Sequence, residues 1–220
     1  HLLLGRAYLT TGETALARES LEKAAGLKPL LMDAQILLAG LDTTGGKLKE
    51  ARQRIDSLIA RDPGNLTLLG MLFQLQVQEK EWEGTQATLA QLRTAGADRM
   101  KTDLAEGHMA VAQQQWDKAD AAYRRAIAQQ PQAAEPLLAL VQLGVRRGQM
   151  QQTQATLEML VAEQPTHPFA AGFLGELLLM KGNADAAIPQ FELATRLNPK
   201  WTTPWIQLAR YSYAKQQAVL

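Results

Sequence analysis

The chain has 220 residues, of which 46% are hydrophobic and 20% charged, a composition typical of a folded protein rather than a disordered one. Its 23 Lys and Arg residues nearly balance its 22 Asp and Glu residues, so the sequence lacks the basic surplus typical of nucleic-acid binders, and we expect no nucleic-acid partner. The absence of cysteine excludes disulfides, thiol catalysis and cysteine-bound metal.

No apolar run reaches the roughly 18 residues that a membrane-spanning helix needs. The longest run, residues 173–180, is interrupted by Gly175 and Glu176, so we predict no direct membrane insertion within this sequence. The sequence starts at His1 without an initiator methionine and already in a helical pattern. We therefore expect an excised piece whose own N-terminus, with any targeting signal, lies upstream.

Taken in chain order, the predicted helices repeat with one spacing. Prolines recur at intervals of 34, 68, 34 and 34 residues, with Ala97 at the skipped point: Pro29, Pro63, Pro131, Pro165 and Pro199. A leucine column keeps the same phase except at Glu106, and comprises Leu4, Leu38, Leu72, Leu140, Leu174 and Leu208. So does a column of larger apolar residues, Leu21, Ile55, Leu89, Tyr123, Leu157 and Phe191. The pattern predicts pairs of amphipathic helices stacked as internal repeats.

The most regular copy contains Leu174-Gly175, Leu178, Gly182, Ala187-Ile188, Phe191, Ala194 and Pro199. This pattern resembles the tetratricopeptide repeat, whose period is 34 residues and whose unit is helix–turn–helix. The resemblance covers essentially the whole chain and implies an all-α, right-handed superhelical solenoid forming one domain over residues 1–220. The repeats are expected at 1–31, 32–65, 66–99, 100–133, 134–167 and 168–201, followed by an extra first helix over 202–220.

Local departures from the pattern carry further expectations. Lys80 and Gln114 replace the glycine that ends the first helix in other repeats, where a positive φ is wanted. Phe73 and Val141 are large where the two helices of a repeat cross, which predicts wider spacing in the third and fifth repeats. Pro189 predicts a mild kink or a delayed helix start. Residues 93–100 are the least regular, so any bend or split is expected there, although the unbroken phase favours one solenoid.

Nothing in the sequence indicates catalysis. The three histidines, His1, His108 and His167, are too far apart for a helical metal-binding pair, and no phosphate-binding glycine loop occurs. For His167, which precedes Pro168, we expect a solvated or helix-capping role. Carboxylates such as Asp117, Asp120 and Glu158 are expected on solvated helix faces. We predict no enzyme activity, no cofactor and no metal.

The resemblance implies a concave groove lined by the first helix of each repeat. Its wall is expected to present Arg6, Gly40, Gln74, His108, Gln142, Glu176 and Arg210, beside Gln78, Arg146, Met180 and Tyr213 and a row of apolar residues. We call the candidates for partner contact the groove residues: Arg6, Gln74, Gln78, His108, Gln142, Arg146, Glu176, Arg210 and Tyr213. Their mixed character suits an extended peptide or a partner helix. Leu2, Leu37 and Ala105 stand where chaperone-tail-binding relatives carry Lys and Asn, so that specialisation is not expected.

The extra helix is rich in aromatic residues, including Trp205, Tyr211 and Tyr213, and lacks a polar outer face. Further repeats, a partner or a second copy are expected to cover it, so a homo-oligomer is one possibility. We interpret the chain as a non-catalytic scaffold that binds a peptide or partner protein, resembling bacterial repeat proteins of envelope assembly, secretion or exopolysaccharide export. The periplasm is favoured over the cytoplasm. The alternatives are a regulatory arm of a larger enzyme and a self-assembling scaffold.

Overall fold

The computed structural model describes residues 1–29 and 31–217. Over these residues it contains thirteen α-helices and no strand, which confirms the predicted all-α class. The helices are α1 Leu2–Thr11, α2 Thr14–Leu27, α3 Met32–Thr44, α4 Leu48–Ile59, α5 Leu66–Glu79, α6 Trp82–Thr94, α7 Arg99–Ala112, α8 Trp116–Gln129, α9 Ala134–Arg146, α10 Met150–Glu163, α11 Pro168–Met180, α12 Ala184–Leu197 and α13 Thr202–Gln217. The expected extra helix is therefore present as α13, and residues 218–220 lie outside the described residues.

The chain divides into two compact halves, His1–Asp98 and Arg99–Leu220. The division falls within the irregular stretch 93–100, between the end of α6 at Thr94 and the start of α7 at Arg99. The N-terminal half holds α1 to α6 and the C-terminal half holds α7 to α13. That the whole array forms one solenoid stays a prediction.

Each half is built from helix pairs joined by short turns. The first helix of a pair packs against the second, and the second packs against the first helix of the next pair, as α2 does on α3 and α8 does on α9. The cores are accordingly local: Leu21 and Leu38 belong to one cluster in the N-terminal half, and Leu157, Phe173 and Phe191 belong to one in the C-terminal half. Neighbouring repeats thus share the burial of their apolar faces.

Small residues mark where paired helices cross. A Cβ atom built on Gly107 would lie 2.2 Å from the ring of Tyr123, and one built on Gly175 would lie 2.7 Å from the ring of Phe191. In the α9–α10 pair, where Val141 occupies this position, the closest approach is instead at Gly144, whose added Cβ would lie 2.0 Å from Oγ1 of Thr153. At each of these contacts glycine fits without strain, whereas an added Cβ would force the facing side chain or its helix to shift.

The helix ends follow the predicted punctuation. Lys80 and Gln114 adopt φ values of +59° and +57°, so they occupy the left-handed conformation that glycine supplies in other repeats. The second helices end shortly before the phased prolines, for example α8 at Gln129 before Pro131. The delayed helix start proposed for Pro189 is wrong: α12 begins at Ala184, at the same repeat position as α6 and α8, and includes Pro189. The Asn183 side chain caps this start by accepting a hydrogen bond from the N–H of Ala186 at 3.2 Å.

Candidate functional site

The groove residues lie on the first helix of their pairs, as the repeat spacing predicts. In the N-terminal half, Arg6 is on α1, and Gln74 and Gln78 are on α5. In the C-terminal half, His108 is on α7, Gln142 and Arg146 on α9, Glu176 on α11, and Arg210 and Tyr213 on α13. Within this half α7 contacts α9 and α9 contacts α11, so the structure brings the helices of His108, Gln142 and Glu176 next to one another.

The groove residues differ in what they already contact. Arg6 donates a hydrogen bond from Nη2 to Oδ2 of Asp33 at 2.7 Å, so its charge is paired within the protein. Arg146 and Arg210 are exposed and form no ion pair with any described residue. Gln74, Gln78 and Gln142 are also exposed, and Tyr213 is 66% exposed. Among the groove residues, the guanidinium groups without an ion pair to a described residue therefore lie in the C-terminal half.

Two ionisable groove residues are partly shielded from water. Burial raises the pKa of Glu176, which is half-buried on α11. Burial lowers the pKa of His108, against the opposing effect of the Glu135 carboxylate. The His108 ring lies edge-on to the ring of Tyr123, with 5.6 Å between the ring centroids. Burial also raises the pKa of Tyr123 to about 12, opposed by the charge of Arg146.

Apolar side chains accompany the polar ones. Val111, Val145 and Leu179 are half-buried and Met180 is exposed, each on a first helix of the C-terminal half. A partner lying along these helices could therefore bury apolar surface while meeting exposed amide and guanidinium groups. Side chains of these kinds can form hydrogen bonds, ion pairs and apolar contacts with a bound peptide.

For His167, the role predicted from the sequence is only partly right. It does cap α11, because its Nδ1 accepts a hydrogen bond from the N–H of Ala170 at 3.2 Å. It is not solvated, however, since it is only 1% exposed. Its Nε2 lies 2.8 Å from the carbonyl oxygen of Pro131, in the turn between α8 and α9.

A buried ion cluster in the N-terminal half is the second feature that the sequence did not predict. Asp42 on α3 is 2% exposed and accepts hydrogen bonds from Nη1 of Arg18 on α2 at 2.7 Å and from Nε of Arg54 on α4 at 3.2 Å. Arg54 also donates to the side-chain oxygen of Gln35. The sequence does contain one signal, a polar residue that recurs 34 positions after Asp42, at Gln76. Gln76 is buried too, and its side chain accepts a hydrogen bond from the hydroxyl of Thr88.

Within residues 1–29 and 31–217, no group of three or more His, Cys, Asp or Glu side chains is placed to hold a metal ion. None of the described helices is both long enough and apolar enough to cross a lipid bilayer.

Known structures share this fold at low sequence identity. A tetratricopeptide repeat protein from Parabacteroides merdae ATCC 43184 superposes with a TM-score of 0.67 at 15% identity, covering 94% of this chain and 81% of that one. PilW, described as a widely conserved type IV pilus biogenesis factor, gives a TM-score of 0.63 at 16% identity, covering 94% and 96%. YrrB, described as a TPR protein with an unusual peptide-binding site, gives 0.50 at 16% identity, covering 86% and 97%.

No curated protein matches the sequence significantly. The sequence profile described as Tetratricopeptide repeat matches residues 2–65, 104–152 and 138–200, which together exceed half of the chain. The helix pairs, the phased prolines and the glycine crossings agree with this match. The chain therefore belongs to the tetratricopeptide repeat family.

Proposed function

We propose that this protein is a non-catalytic scaffold that binds a peptide or partner protein along the groove residues. Repeat proteins of this family are generally interaction modules without catalytic activity, which supports the proposal. The observation that carries it is the pair of exposed arginines, Arg146 and Arg210, which lack ion-pair partners among the described residues of the C-terminal half. Unpaired guanidinium groups beside half-buried apolar residues are ready to bind a carboxylate-bearing chain.

The neighbouring side chains extend this recognition. Gln142 can both donate to and accept from a peptide backbone, and Val145 and Leu179 offer apolar contact. Burial raises the pKa of Glu176, so a cationic side chain of the partner that approached it would favour its charged form. The surface would then hold a peptide of mixed charge with apolar side chains between the charges.

We further propose that the partner belongs to a bacterial envelope or secretion assembly and that binding takes place in the periplasm. The similarity in fold to PilW, a type IV pilus biogenesis factor, supports this setting. The direct experiment is capture of partners from a lysate of the native source, followed by mass spectrometry, with the wild-type chain and the double variant Arg146→Glu/Arg210→Glu compared side by side. A partner from the envelope that only the wild type captures is the expected result. Equal capture of the same proteins by both chains would contradict the proposal that partners bind along the groove residues.

Self-association is a second candidate, favoured by the surface of α13. Trp205 and Ile206 are each 50% exposed there. Elsewhere on α13, the hydroxyl of Tyr211 donates a 2.8 Å hydrogen bond to Asp185 of α12. Exposed apolar patches of this kind commonly mark interfaces. We propose that two copies associate through α13. Sedimentation velocity should then show a concentration-dependent dimer that Trp205→Gln/Ile206→Gln abolishes, whereas a monomer at every concentration would refute it.

A further inference from the structure

A cavity of about 310 Å³ lies inside the C-terminal half, between α8, α9 and α10. Its lining is mostly polar, with Leu140 and Val141 half-buried at its surface and Leu137, Leu143 and Leu157 buried beneath them. Gln142 and Arg146, the groove residues of α9, do not line it. The volume falls at the lower end of the range for small-molecule sites, roughly 300–1,000 Å³. This cavity is therefore a separate feature from the proposed groove.

The repeat spacing explains why this space is open. Gly144 follows Asp42 by 102 residues, three repeat lengths, and Asp120 and Thr156 follow Arg18 and Arg54 by the same distance. In the N-terminal half the earlier three residues form the buried ion cluster, whose hydrogen bonds join α2, α3 and α4. In the C-terminal half the later three line the cavity, and the residue at the Asp42 position has no side chain.

The cavity cannot be closed by a larger residue at this position without moving a helix. A Cβ atom at Gly144 would lie 2.0 Å from Oγ1 of Thr153, and this hydroxyl is already bonded to the carbonyl of Gln149 at 2.9 Å. At the same position in α11, Leu178 is buried and occupies the equivalent place. Gly144 therefore leaves room where the equivalent residue of α11 has a buried side chain.

The rim carries two carboxylates and two guanidinium groups, each already in an ion pair. Arg147 Nη2 lies 3.3 Å from Oδ1 of Asp117, joining the end of α9 to the start of α8. Arg124 Nε lies 2.6 Å from Oδ2 of Asp120 on the same helix. The Asp117 side chain is 94% exposed, and exposed pairs of this kind contribute little stability, so a ligand could replace either partner cheaply.

We propose that this cavity binds a compact zwitterion with an apolar body, of the class of a free amino acid with an aromatic or branched aliphatic side chain. The apolar body would lie against Leu140 and Val141, the ammonium group would meet Asp117, and the carboxylate would meet Arg124 or Arg147. A ligand with net negative charge would face both carboxylates, and one with net positive charge would face both arginines. The balanced rim thus selects for a molecule that carries both charges.

Three indole compounds with one shared body test this selectivity: L-tryptophan as the zwitterion, tryptamine as the cation and indole-3-propionate as the anion. Each is titrated into the ¹⁵N-labelled full chain, and amide shifts of Gly144 and Gly148 are followed by NMR. L-Tryptophan should move these amides and bind about two- to fivefold more tightly than either singly charged compound, the difference expected from one additional exposed rim contact. Absence of shifts at millimolar L-tryptophan, or equal binding of all three, would overturn the proposal.

A matched pair of variants locates the site. Thr156→Phe places a large side chain into the cavity from α10 and should abolish binding of L-tryptophan, whereas Ala155→Phe, at the exposed neighbouring position outside the cavity, should leave it unchanged. Asp117→Asn provides a test independent of folding, because its side chain is almost fully exposed. It should reduce the preference for L-tryptophan over indole-3-propionate severalfold, and an unchanged preference would contradict the assigned role of the rim.

Discussion

The imidazole of His167 joins two repeats of the C-terminal half, because its Nε2 lies 2.8 Å from the carbonyl oxygen of Pro131. Its Nδ1 accepts from the N–H of Ala170, so Nε2 must carry the proton and donate to Pro131. Both ring nitrogens are thus committed in a residue that is only 1% exposed. The neutral ring with its proton on Nε2 is the state that fits this place, since protonation of Nδ1 would break the cap of α11.

This arrangement predicts a loss of stability in mild acid. Burial lowers the pKa of His167 in the folded protein, so below its unfolded-state pKa of about 6.5 the unfolded chain binds the additional proton. The free energy of unfolding should therefore decrease as the pH falls through and below that value. Urea denaturation measured at several pH values should show this decrease.

Substitution of the histidines separates their contributions. His167→Gln should flatten the acid-dependent decrease, and it should also lower stability at neutral pH by about 1–3 kcal/mol, because a helix cap and a buried carbonyl partner are lost. His108→Gln should also flatten part of this decrease, because burial lowers the pKa of His108 too, but it should change stability at neutral pH little, because its side chain caps no helix. A decrease that persists undiminished in His167→Gln would contradict the assignment.

The Asp42 cluster predicts an unequal pair of alanine variants on α3. Asp42→Ala should lower the free energy of unfolding by about 3 kcal/mol, because removing one partner of a buried ion pair leaves Arg18 and Arg54 without it. Asp33 lies on α3 as well, and Asp33→Ala removes its exposed ion pair with Arg6 of α1. This substitution should lower the free energy of unfolding by about 0–1 kcal/mol. Urea denaturation of both variants is the measurement. Equal losses would show that the cluster contributes no more than a surface ion pair.

Much of the fold could be predicted because its signals are local. The second helices end shortly before the phased prolines. The repeat spacing also fixes a turn position whose backbone is left-handed, even where Lys80 or Gln114 replaces glycine. Comparison of residues 34 positions apart predicts these helix ends and turns, and it needs no knowledge of side-chain contacts. Pro189 shows the limit, since whether a proline delays a helix depends on the competing cap at Asn183.

The side-chain clusters could not be predicted because each depends on several helices at once. Asp42 is buried only because Arg18 and Arg54 reach it from both sides, and the same column holds Gly144 and a cavity in the C-terminal half. His167 is buried by the turn at Pro131, which lies 36 residues earlier. The groove residues stay a prediction, because their role is defined by a partner that the chain alone does not contain.

Charge reversal tests the groove without disturbing the core. Arg146→Glu/Arg210→Glu should weaken binding of the captured partner by at least about tenfold and lower the melting temperature by no more than a few degrees, because both side chains are exposed and unpaired in the described part of the chain. Lys118→Glu/Arg196→Glu changes the net charge equally on the second helices α8 and α12 and should leave binding intact. Loss of stability without loss of binding would refute the groove.

Two glycine substitutions should change stability in opposite directions if helix crossing is what fixes these repeats. Gly107→Ala should lower the free energy of unfolding by about 1–3 kcal/mol, because its Cβ would lie 2.2 Å from the buried ring of Tyr123. Gly70→Ala, in the middle of α5 with no atom within 4 Å of its added Cβ, should raise it by about 0.5–1 kcal/mol through helix propensity alone. Denaturant unfolding of both variants is the measurement. Destabilisation by both substitutions would mean that helix propensity does not determine the effect at Gly70. Stabilisation by both would mean that α7 and α8 are not in close contact at Gly107.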